Sequence, residues 1–307
     1  MLQLVHATVE DVSIKEESGD KALEGLVDRW ISREVNWAEV QGRKILGLDE
    51  SALKKGHRDF VVIVTARAAA GEVKVLAVLP DRQKETVKAF LASRPTRVQR
   101  AIRTVCTDRY EGFIKAVKEV LGHAQVVADR YHVAKLYREG ADHLRKQELR
   151  RLKQELSTEH YDEIKGALGP FRKNPADLEA DEQALLKRLF AYSPDLHRAY
   201  PYREQLTAIF EQALSKEEAK HEIRKWRRRV QASGLQCYQS FFTTLDNHLE
   251  EITNYFLHRH NSGFVEGLNN KIKVLKRRCY GIFNLGHLFQ RLYLDLEGYR
   301  RFAPALG

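Results

Sequence analysis

The amino-acid sequence predicts an α/β protein whose mixed sheet is interrupted by a long block of helices. Three strand-like runs follow one another, with short links, between residues 44 and 79. Two more strand-like runs then alternate with helical patterns up to residue 128. Between residues 133 and 259 no strand-like run occurs, and apolar residues recur at helical spacing.

The first 42 residues carry the weakest signals. Leu4 to Ile14 alternates loosely between apolar and polar residues, which favours a strand. Ala22 to Val40 has apolar residues at roughly helical spacing, which predicts one amphipathic helix or two short ones. We therefore expect residues 1–42 to form a small helical remnant in front of the main domain.

The next residues predict the sheet and its helices. The predicted strands are Lys44–Leu48, Phe60–Ala66, Val73–Leu79, Thr104–Thr107 and Ala124–Ala128, and the predicted helices are Lys84–Leu91 and Glu111–Leu121. An antiparallel meander followed by alternating helices and strands is the element order of the ribonuclease-H-like fold. We expect residues 43–132 and 260–307 to form this core.

Residues 133–259 are expected to form an all-α insertion domain within that core. Its predicted helices are Val133–Leu156, Leu178–Phe190, Asp195–Leu214, Lys216–Ala232 and Leu235–His258, with a loop from Gly166 to Pro175. Ser215 and Glu218 form a capping-box pattern at the start of the fourth helix.

Charge and cysteine content narrow the class of protein. The 307 residues include 52 Lys and Arg against 42 Asp and Glu, a net charge of +10. This favours a polyanionic partner such as nucleic acid, although a basic surface can also serve solubility alone. The three cysteines form no C-x-x-C pair, so neither a zinc ribbon nor a disulfide framework is indicated. No apolar run approaches the roughly 20 residues of a membrane span, so we expect a cytoplasmic protein without a membrane partner.

Three carboxylates stand out as candidate metal ligands. Asp49 and Asp108 each follow a predicted strand, and Glu266 lies on a predicted late helix. Each aspartate could also cap a strand end or the following helix, which is the common structural role. Taken together, two strand-end acids and one helix acid could hold two divalent ions beside a phosphodiester.

The predicted helix around Glu266 also carries groups suited to DNA. Ser262 is a plausible N-cap, and Phe264, Leu268, Ile272 and Leu275 form its apolar face. A different face presents Glu266, Asn270, Lys273 and Arg277, with Lys276 beside them. Such closely spaced cations are more readily explained by phosphate contact than by packing.

Three further groups are candidates with competing explanations. Asp129 and His132 follow the fifth predicted strand, where Asp129 could simply cap the next helix. The turn that contains Lys55, His57 and Arg58 could contact phosphate or be an ordinary solvated loop. Trp226 lies in a basic helix and could stack on a base, but packing in the helical core is slightly favoured.

These residues resemble the bacterial insertion-sequence transposases of the ISL-three family, which carry a DDE catalytic domain. The matching stretches, spread over about residues 44 to 290, are Leu48-Asp49-Glu50, Lys55-Gly56-His57, Thr107-Asp108, Ala128-Asp129-Arg130-Tyr131-His132-Val133, Val265-Glu266-Gly267-Leu268-Asn269-Asn270-Lys271-Ile272-Lys273, Lys276-Arg277 and Tyr280-Gly281. The resemblance implies that Asp49, Asp108 and Glu266 bind two Mg²⁺ or Mn²⁺ ions. It also implies that Asp129 and His132 form an accessory motif and, more loosely, that Trp226 lies near the active site.

The family resemblance implies a function. The expected protein cuts phosphodiester bonds at transposon ends and joins the 3′-hydroxyl ends to double-stranded target DNA, as a homodimer or larger assembly associated with the bacterial nucleoid. Family members usually begin with a cysteine-rich zinc ribbon and a helix-turn-helix, and this sequence has no such cysteines, so we expect a chain shortened at its N-terminus. A catalytically idle DNA-binding remnant, or a subunit of a larger assembly, is the main alternative. A general ribonuclease-H-like nuclease is weaker, because it leaves the helical insertion unexplained.

Overall fold

A computed structural model describes residues 1–38, 40, 42–52, 60–67, 72–259, 271–275 and 284–303. The chain divides into two compact units. The first consists of Met1–Asp129 and His260–Gly307 and will be called the sheet unit, and the second, Arg130–Arg259, will be called the helical unit. In the described part of the chain, every helix is too short or too polar to span a bilayer.

The sheet unit is built on a mixed five-stranded sheet, which confirms the predicted α/β class. Its strands are β1 (Ile45–Ala52), β2 (Phe60–Arg67), β3 (Val73–Leu79), β4 (Thr104–Thr107) and β5 (Gln125–Ala128). Their order across the sheet is β3-β2-β1-β4-β5. The first three strands pair antiparallel, whereas β1, β4 and β5 pair in parallel. The three parallel strands therefore end at the same edge of the sheet.

The sheet unit also contains α-helices, and several of them pack on the sheet with apolar faces. They are α1 (Val9–Lys15), α2 (Asp20–Trp30), α3 (Lys84–Ala92), α4 (Thr96–Ala101), α5 (Glu111–Val120) and, at the end of the chain, α14 (Leu285–Phe302). Val87 of α3, Phe113 of α5 and Leu288 of α14 are buried in one core with the β-branched residues of the strands. Residues 271–275 are also helical, and Ile272 and Leu275 enter this core.

The strand expected within Leu4–Ile14 is wrong. Leu2–Leu4 forms a short 3-10 helix and Val9–Lys15 forms α1. The Thr8 hydroxyl accepts a hydrogen bond from the Asp11 backbone N–H at 2.8 Å, which caps the first turn of α1. Val12 is then buried against residues of α2 and α14, so the loose alternation belongs to a short amphipathic helix. Of the stretch Ala22–Val40, only the part up to Trp30 is helical among the described residues.

Every residue of the helical unit is described, and none of them lies in a strand. Its helices are α6 (Arg130–Glu155), α7 (Thr158–Asp162), α8 (Leu168–Arg172), α9 (Ala180–Tyr192), α10 (Pro194–Glu211), α11 (Lys216–Ala232), α12 (Gln239–Thr253) and α13 (Tyr255–His258). The loop predicted from Gly166 to Pro175 contains α8. The single helix predicted to end at His258 is divided into α12 and α13.

Aromatic side chains form the centre of the helical unit. Trp226 of α11 is fully buried and makes edge-to-face contacts with Tyr238, Phe241 and Phe242 at 5.5 to 6.0 Å between ring centroids. The capping box at the start of α11 forms as predicted, with Ser215 and Glu218 exchanging hydrogen bonds. The orientation of α11 is therefore fixed at its first turn and at its middle.

Candidate active site

Three aspartates lie beside one another near the carboxyl ends of the parallel strands. Asp108 and Asp129 follow β4 and β5, but Asp49 lies within β1, which continues to Ala52 and so is longer than the predicted strand Lys44–Leu48. Leu48 pairs with Thr107, and Thr107 pairs with Ala128, so Asp49, Asp108 and Asp129 occupy the next position on β1 and just after β4 and β5. The Asp129 backbone N–H donates to the Thr107 carbonyl at 2.8 Å, which carries the pairing on to Asp129. Because neighbouring strands lie about 4.8 Å apart, the three residues are side by side.

The strand register also assigns Asp49 to one face of the sheet. Cys106 is paired with Gly47 on one side and with Val127 on the other, and Asp49 lies two positions after Gly47 in β1. Side chains two residues apart in a strand point to the same side. Asp49 therefore lies on the face that carries Cys106, whereas Asp108 and Asp129 come just after their strands end.

The side chain of Cys106 reports on this face. Burial, together with a smaller contribution from the negative charge of Asp129, raises the pKa of its thiol to about 12. The Asp129 carboxylate is therefore close enough to Cys106 to interact with it. Asp49 and Asp129 are only 4% and 5% exposed, so both acids are held in a defined place by the sheet.

The turn after β4 fixes Asp108. Its carboxylate accepts a hydrogen bond from the Tyr110 backbone N–H at 3.0 Å, just before α5 begins. Because α5 has no side-chain N-cap, this bond orders the turn before the helix and is not the helix cap that the sequence gave as the alternative for Asp108.

A cation that the sequence did not reveal lies near Asp108. Arg82 pairs with Glu50 at 3.1 Å, and its guanidinium lies 5.2 Å from the centre of the Tyr110 ring. The hydrogen bond to Glu50 raises the pKa of Arg82, and the charge of Asp108 contributes in the same direction. Arg82 follows β3 in a short loop, and no sequence pattern connects it with residues 50 and 108.

Of the predicted metal ligand on the late helix and the predicted DNA contacts of the sheet unit, only Lys273 lies in the part of the chain that the structure describes. Lys273 is exposed on the helical segment 271–275, whose Ile272 and Leu275 are buried in the core of the sheet unit. Glu266, Asn270, Lys276, Arg277, Lys55, His57 and Arg58 lie outside the described residues. Among the residues that are described, no group of three or more His, Cys, Asp or Glu side chains could hold a metal ion. The metal site of Asp49, Asp108 and Glu266 therefore stays a prediction.

His132 lies near the start of α6, in the helical unit. Its ring is half-buried and makes an edge-to-face contact with Tyr131 at 5.5 Å between centroids. The accessory pairing of His132 with Asp129 stays a prediction.

Trp226 does not have the surface that a DNA-stacking role requires. Its side chain is 0% exposed, and its indole N–H donates to the Tyr202 carbonyl at 2.8 Å. A base could reach the indole only if the aromatic centre of the helical unit came apart. The DNA contact expected for Trp226 is therefore wrong in this structure, and the alternative of core packing is correct.

Comparison with known proteins gives consistent matches. A family model of the ISL-three group, described as a transposase, matches residues 46–292. The chain is 28% identical over 273 residues to a transposase for insertion sequence element IS1001 from Bordetella parapertussis, covering 88% of this chain and 64% of that protein. It is 24% identical over 294 residues to a transposase for insertion sequence element IS1557 from Mycobacterium tuberculosis, covering 87% of this chain and 65% of that protein. The chain thus spans less than two thirds of the length of these relatives.

Proposed function

Because the chain belongs to the ISL-three family of transposases, which its match over residues 46–292 shows, we propose that it is a DNA transposase. Its reaction would cut phosphodiester bonds at transposon ends and join the 3′-hydroxyl ends to duplex target DNA. The observation that carries this proposal is the position of Asp49 and Asp108, which come directly after the paired residues Leu48 and Thr107 on two neighbouring parallel strands.

The donor set at this edge suits hard divalent cations. Carboxylate oxygens are the ligands that Mg²⁺ and Mn²⁺ prefer. Neighbouring carboxylates repel each other in their ionised forms, and a bound cation removes that repulsion. We propose that Asp49 and Asp108, together with Glu266, hold two such ions. Bound there, the ions would supply an activated nucleophile and stabilise the leaving oxygen.

Each candidate site residue has its own part in this proposal. Asp49 is placed by a strand that pairs on both sides, and Asp108 by its hydrogen bond from Tyr110, so both acids are held in position before substrate arrives. Arg82 and the exposed Lys273 would contact DNA phosphates. The accessory pair and the undescribed DNA contacts keep their predicted roles: Asp129, His132, Lys55, His57, Arg58, Asn270, Lys276 and Arg277.

The domain organisation belongs to the same proposal. We propose a ribonuclease-H-like core of residues 43–132 and 260–307, an all-α insertion of residues 133–259 and a helical remnant of residues 1–42. The mixed sheet and the strand-free helical unit between the two parts of the sheet unit support it. Since two transposon ends must be cut and joined to one target, a homodimer or larger assembly on DNA is the simplest arrangement.

The direct test is nicking of supercoiled plasmid DNA by the purified chain, with Mg²⁺ or Mn²⁺ and with a chelator. We expect metal-dependent nicking that Asp49→Asn abolishes while duplex binding is kept or strengthened, because the acid that binds metal also repels phosphate. Glu111→Gln is the control and should nick at the wild-type rate, since it removes an exposed carboxylate of the same unit that pairs with Lys115 on its own helix. Nicking by Asp49→Asn at the wild-type rate would exclude Asp49 as a ligand.

One observation favours the second candidate, a DNA-binding form without catalysis. The chain matches only 64% of the IS1001 transposase, so a part that the reaction needs could lie in the remainder of such proteins. This candidate predicts that the chain binds duplex DNA and divalent ions but nicks no DNA. Metal-dependent nicking by the wild type that is lost in Asp49→Asn would rule out this second candidate.

A further inference from the structure

The second half of α11 is the most cationic segment of the helical unit. Residues 224 to 229 contain five Lys and Arg residues and no acid. The unit as a whole is nearly balanced, with 23 Lys and Arg against 20 Asp and Glu between residues 130 and 259. The local excess therefore does not follow from a generally basic composition.

The packing of α11 determines which of these cations face solvent. Ile223, Trp226 and Val230 are buried and define the inner side of the helix. At 100° per residue, the opposite side carries a row that we call the α11 stripe, consisting of His221, Arg224, Lys225 and Arg228. All four side chains are exposed.

The acids next to α11 are occupied by other cations. Asp246 of α12 binds Arg227, with 3.0 Å between Nη2 and Oδ2. Glu250 of α12 binds Lys216 and Lys220 at 2.8 and 2.7 Å. Within the stripe, Lys225 lies 3.6 Å from Glu222. Arg224 and Arg228 have no carboxylate within ion-pair distance among the described residues.

The helix dipole does not account for Arg224. A cation in the last turn of a helix is stabilised by the free carbonyls there, and Arg229 occupies such a position. That effect falls off within one turn. Arg224 lies two turns before the end of α11 at Ala232, so its position needs another explanation.

We infer that the α11 stripe binds the phosphate backbone of duplex DNA, an inference that rests on the proposed function. Arg224 and Arg228 are one turn apart, so their guanidinium groups repeat at about 6 Å along the helix. Guanidinium groups donate paired hydrogen bonds to phosphate oxygens. The buried Trp226 and its hydrogen bond to Tyr202 hold the stripe in a fixed orientation, which limits the entropy lost on binding. Contacts of this kind position DNA without reading its sequence.

The test compares two double variants that lose the same charge. Arg224→Gln with Arg228→Gln removes the arginines of the stripe. Lys187→Gln with Arg188→Gln is the control, because both of these residues are exposed cations on α9 of the same unit. Binding of a fluorescent duplex of random sequence is measured by anisotropy between about 50 and 200 mM salt. Melting curves of both variants check that the fold is retained.

We expect the slope of log affinity against log salt to fall by about 1.8 for the stripe variant and to stay unchanged for the control. Equal losses in both variants would mean that net charge matters and the stripe does not. An unchanged slope in the stripe variant, while the wild type binds duplex, would overturn the inference and leave the proposed function standing. A wild type that binds no duplex at all would overturn both, and the plasmid-nicking assay then reports on the proposed function separately.

Discussion

The two units use buried carboxylates in different ways. In the helical unit, Asp142 is 8% exposed and has three basic side chains within ion-pair distance: Arg145 at 2.9 Å, Lys146 at 3.3 Å and Arg172 at 2.7 Å. Burial works to raise the pKa of Asp142, but hydrogen bonds from Arg172 and Arg145 outweigh it and hold that pKa well below its usual range. In the sheet unit, Asp49 and Asp129 are equally buried but lie beside a third aspartate, Asp108.

The difference shows what distinguishes a structural acid from a candidate functional one. Burial is the same in both places, so burial does not decide. An acid surrounded by cations stabilises the folded state by itself, whereas neighbouring acids gain stability when a cation binds to the folded state. Substitutions in the two units should therefore have effects of different size.

The largest expected effect comes from breaking the helical unit at its aromatic centre. Trp226→Ala should lower the free energy of unfolding by about 3–5 kcal/mol, because it removes a fully buried side chain and leaves a cavity. The melting temperature should fall by at least about 6 °C. Trp30→Ala is the control, since Trp30 is 51% exposed and its loss should change stability by less than about 1 kcal/mol. Equal losses in the two variants would contradict the assignment of Trp226 to the core.

The next effect tests the structural acid directly. Asp142→Asn leaves the buried Arg145 without its carboxylate and should lower the free energy of unfolding by about 3 kcal/mol. Asp246→Asn is the matched control, because the side chain of Asp246 is 56% exposed and its pair with Arg227 should contribute less than about 1 kcal/mol. Urea titrations of the wild type and both variants would measure the two changes in the free energy of unfolding. If Asp142→Asn proved as mild as its control, the comparison between the units would fail on the helical side.

The corresponding change in the sheet unit sharpens the comparison. Without metal, Asp49→Asn should lower the free energy of unfolding by less than Asp142→Asn does, because it also removes one of three neighbouring negative charges. With Mn²⁺, the wild type should melt at a higher temperature, and the variant should lose that gain. Thermal melts with and without Mn²⁺ give both results. A variant that is stabilised by Mn²⁺ as much as the wild type would remove Asp49 from the metal site.

The smallest effect concerns the pH dependence of an exposed ion pair in the helical unit. Hydrogen bonds from Lys216 and Lys220 lower the pKa of Glu250 from 4.5 to about 2. Because the folded-state pKa is depressed, the stabilisation is present above pH 4.5 and is lost as the pH falls from about 4.5 to about 2. The effect should stay below about 1 kcal/mol, because the Glu250 side chain is 62% exposed. Melting temperatures of the wild type and Glu250→Gln should therefore converge over this range, and a constant difference would argue against the pair.

Much of the fold could be predicted because its elements have strong local patterns. The predicted runs Phe60–Ala66 and Val73–Leu79 lie within a residue of β2 and β3, since β-branched residues bounded by turns favour strands. The segment Leu4–Ile14 was misread because seven helical residues are too few to show a clear period. The kink near His248, which has non-helical backbone angles, also leaves no pattern in the sequence.

In the candidate site, only acids that follow an apolar run could be predicted from the sequence. Asp49 and Asp108 follow apolar runs, so their positions could be expected, but the register that brings Asp129 beside them depends on long-range pairing. Arg82 was missed because its contacts with Glu50 and Tyr110 join distant parts of the chain. Trp226 was placed among DNA contacts because five cations surround it in sequence, although Ile223 and Val230 share its face of the helix.

The buried position of Cys106, close to Asp129, offers a way to measure local unfolding in solution. Burial raises the pKa of the thiols of both Cys106 and Cys237 to about 12. At pH 8 only about one such thiol in ten thousand is ionised, so both should resist alkylation while their surroundings stay intact. Since Cys106 lies in the sheet unit and Cys237 in the helical unit, alkylation of each peptide, followed by mass spectrometry, measures how often each unit opens on its own. Cys106 and Cys237 thus report the opening rate of the sheet unit and of the helical unit, respectively, without any added label.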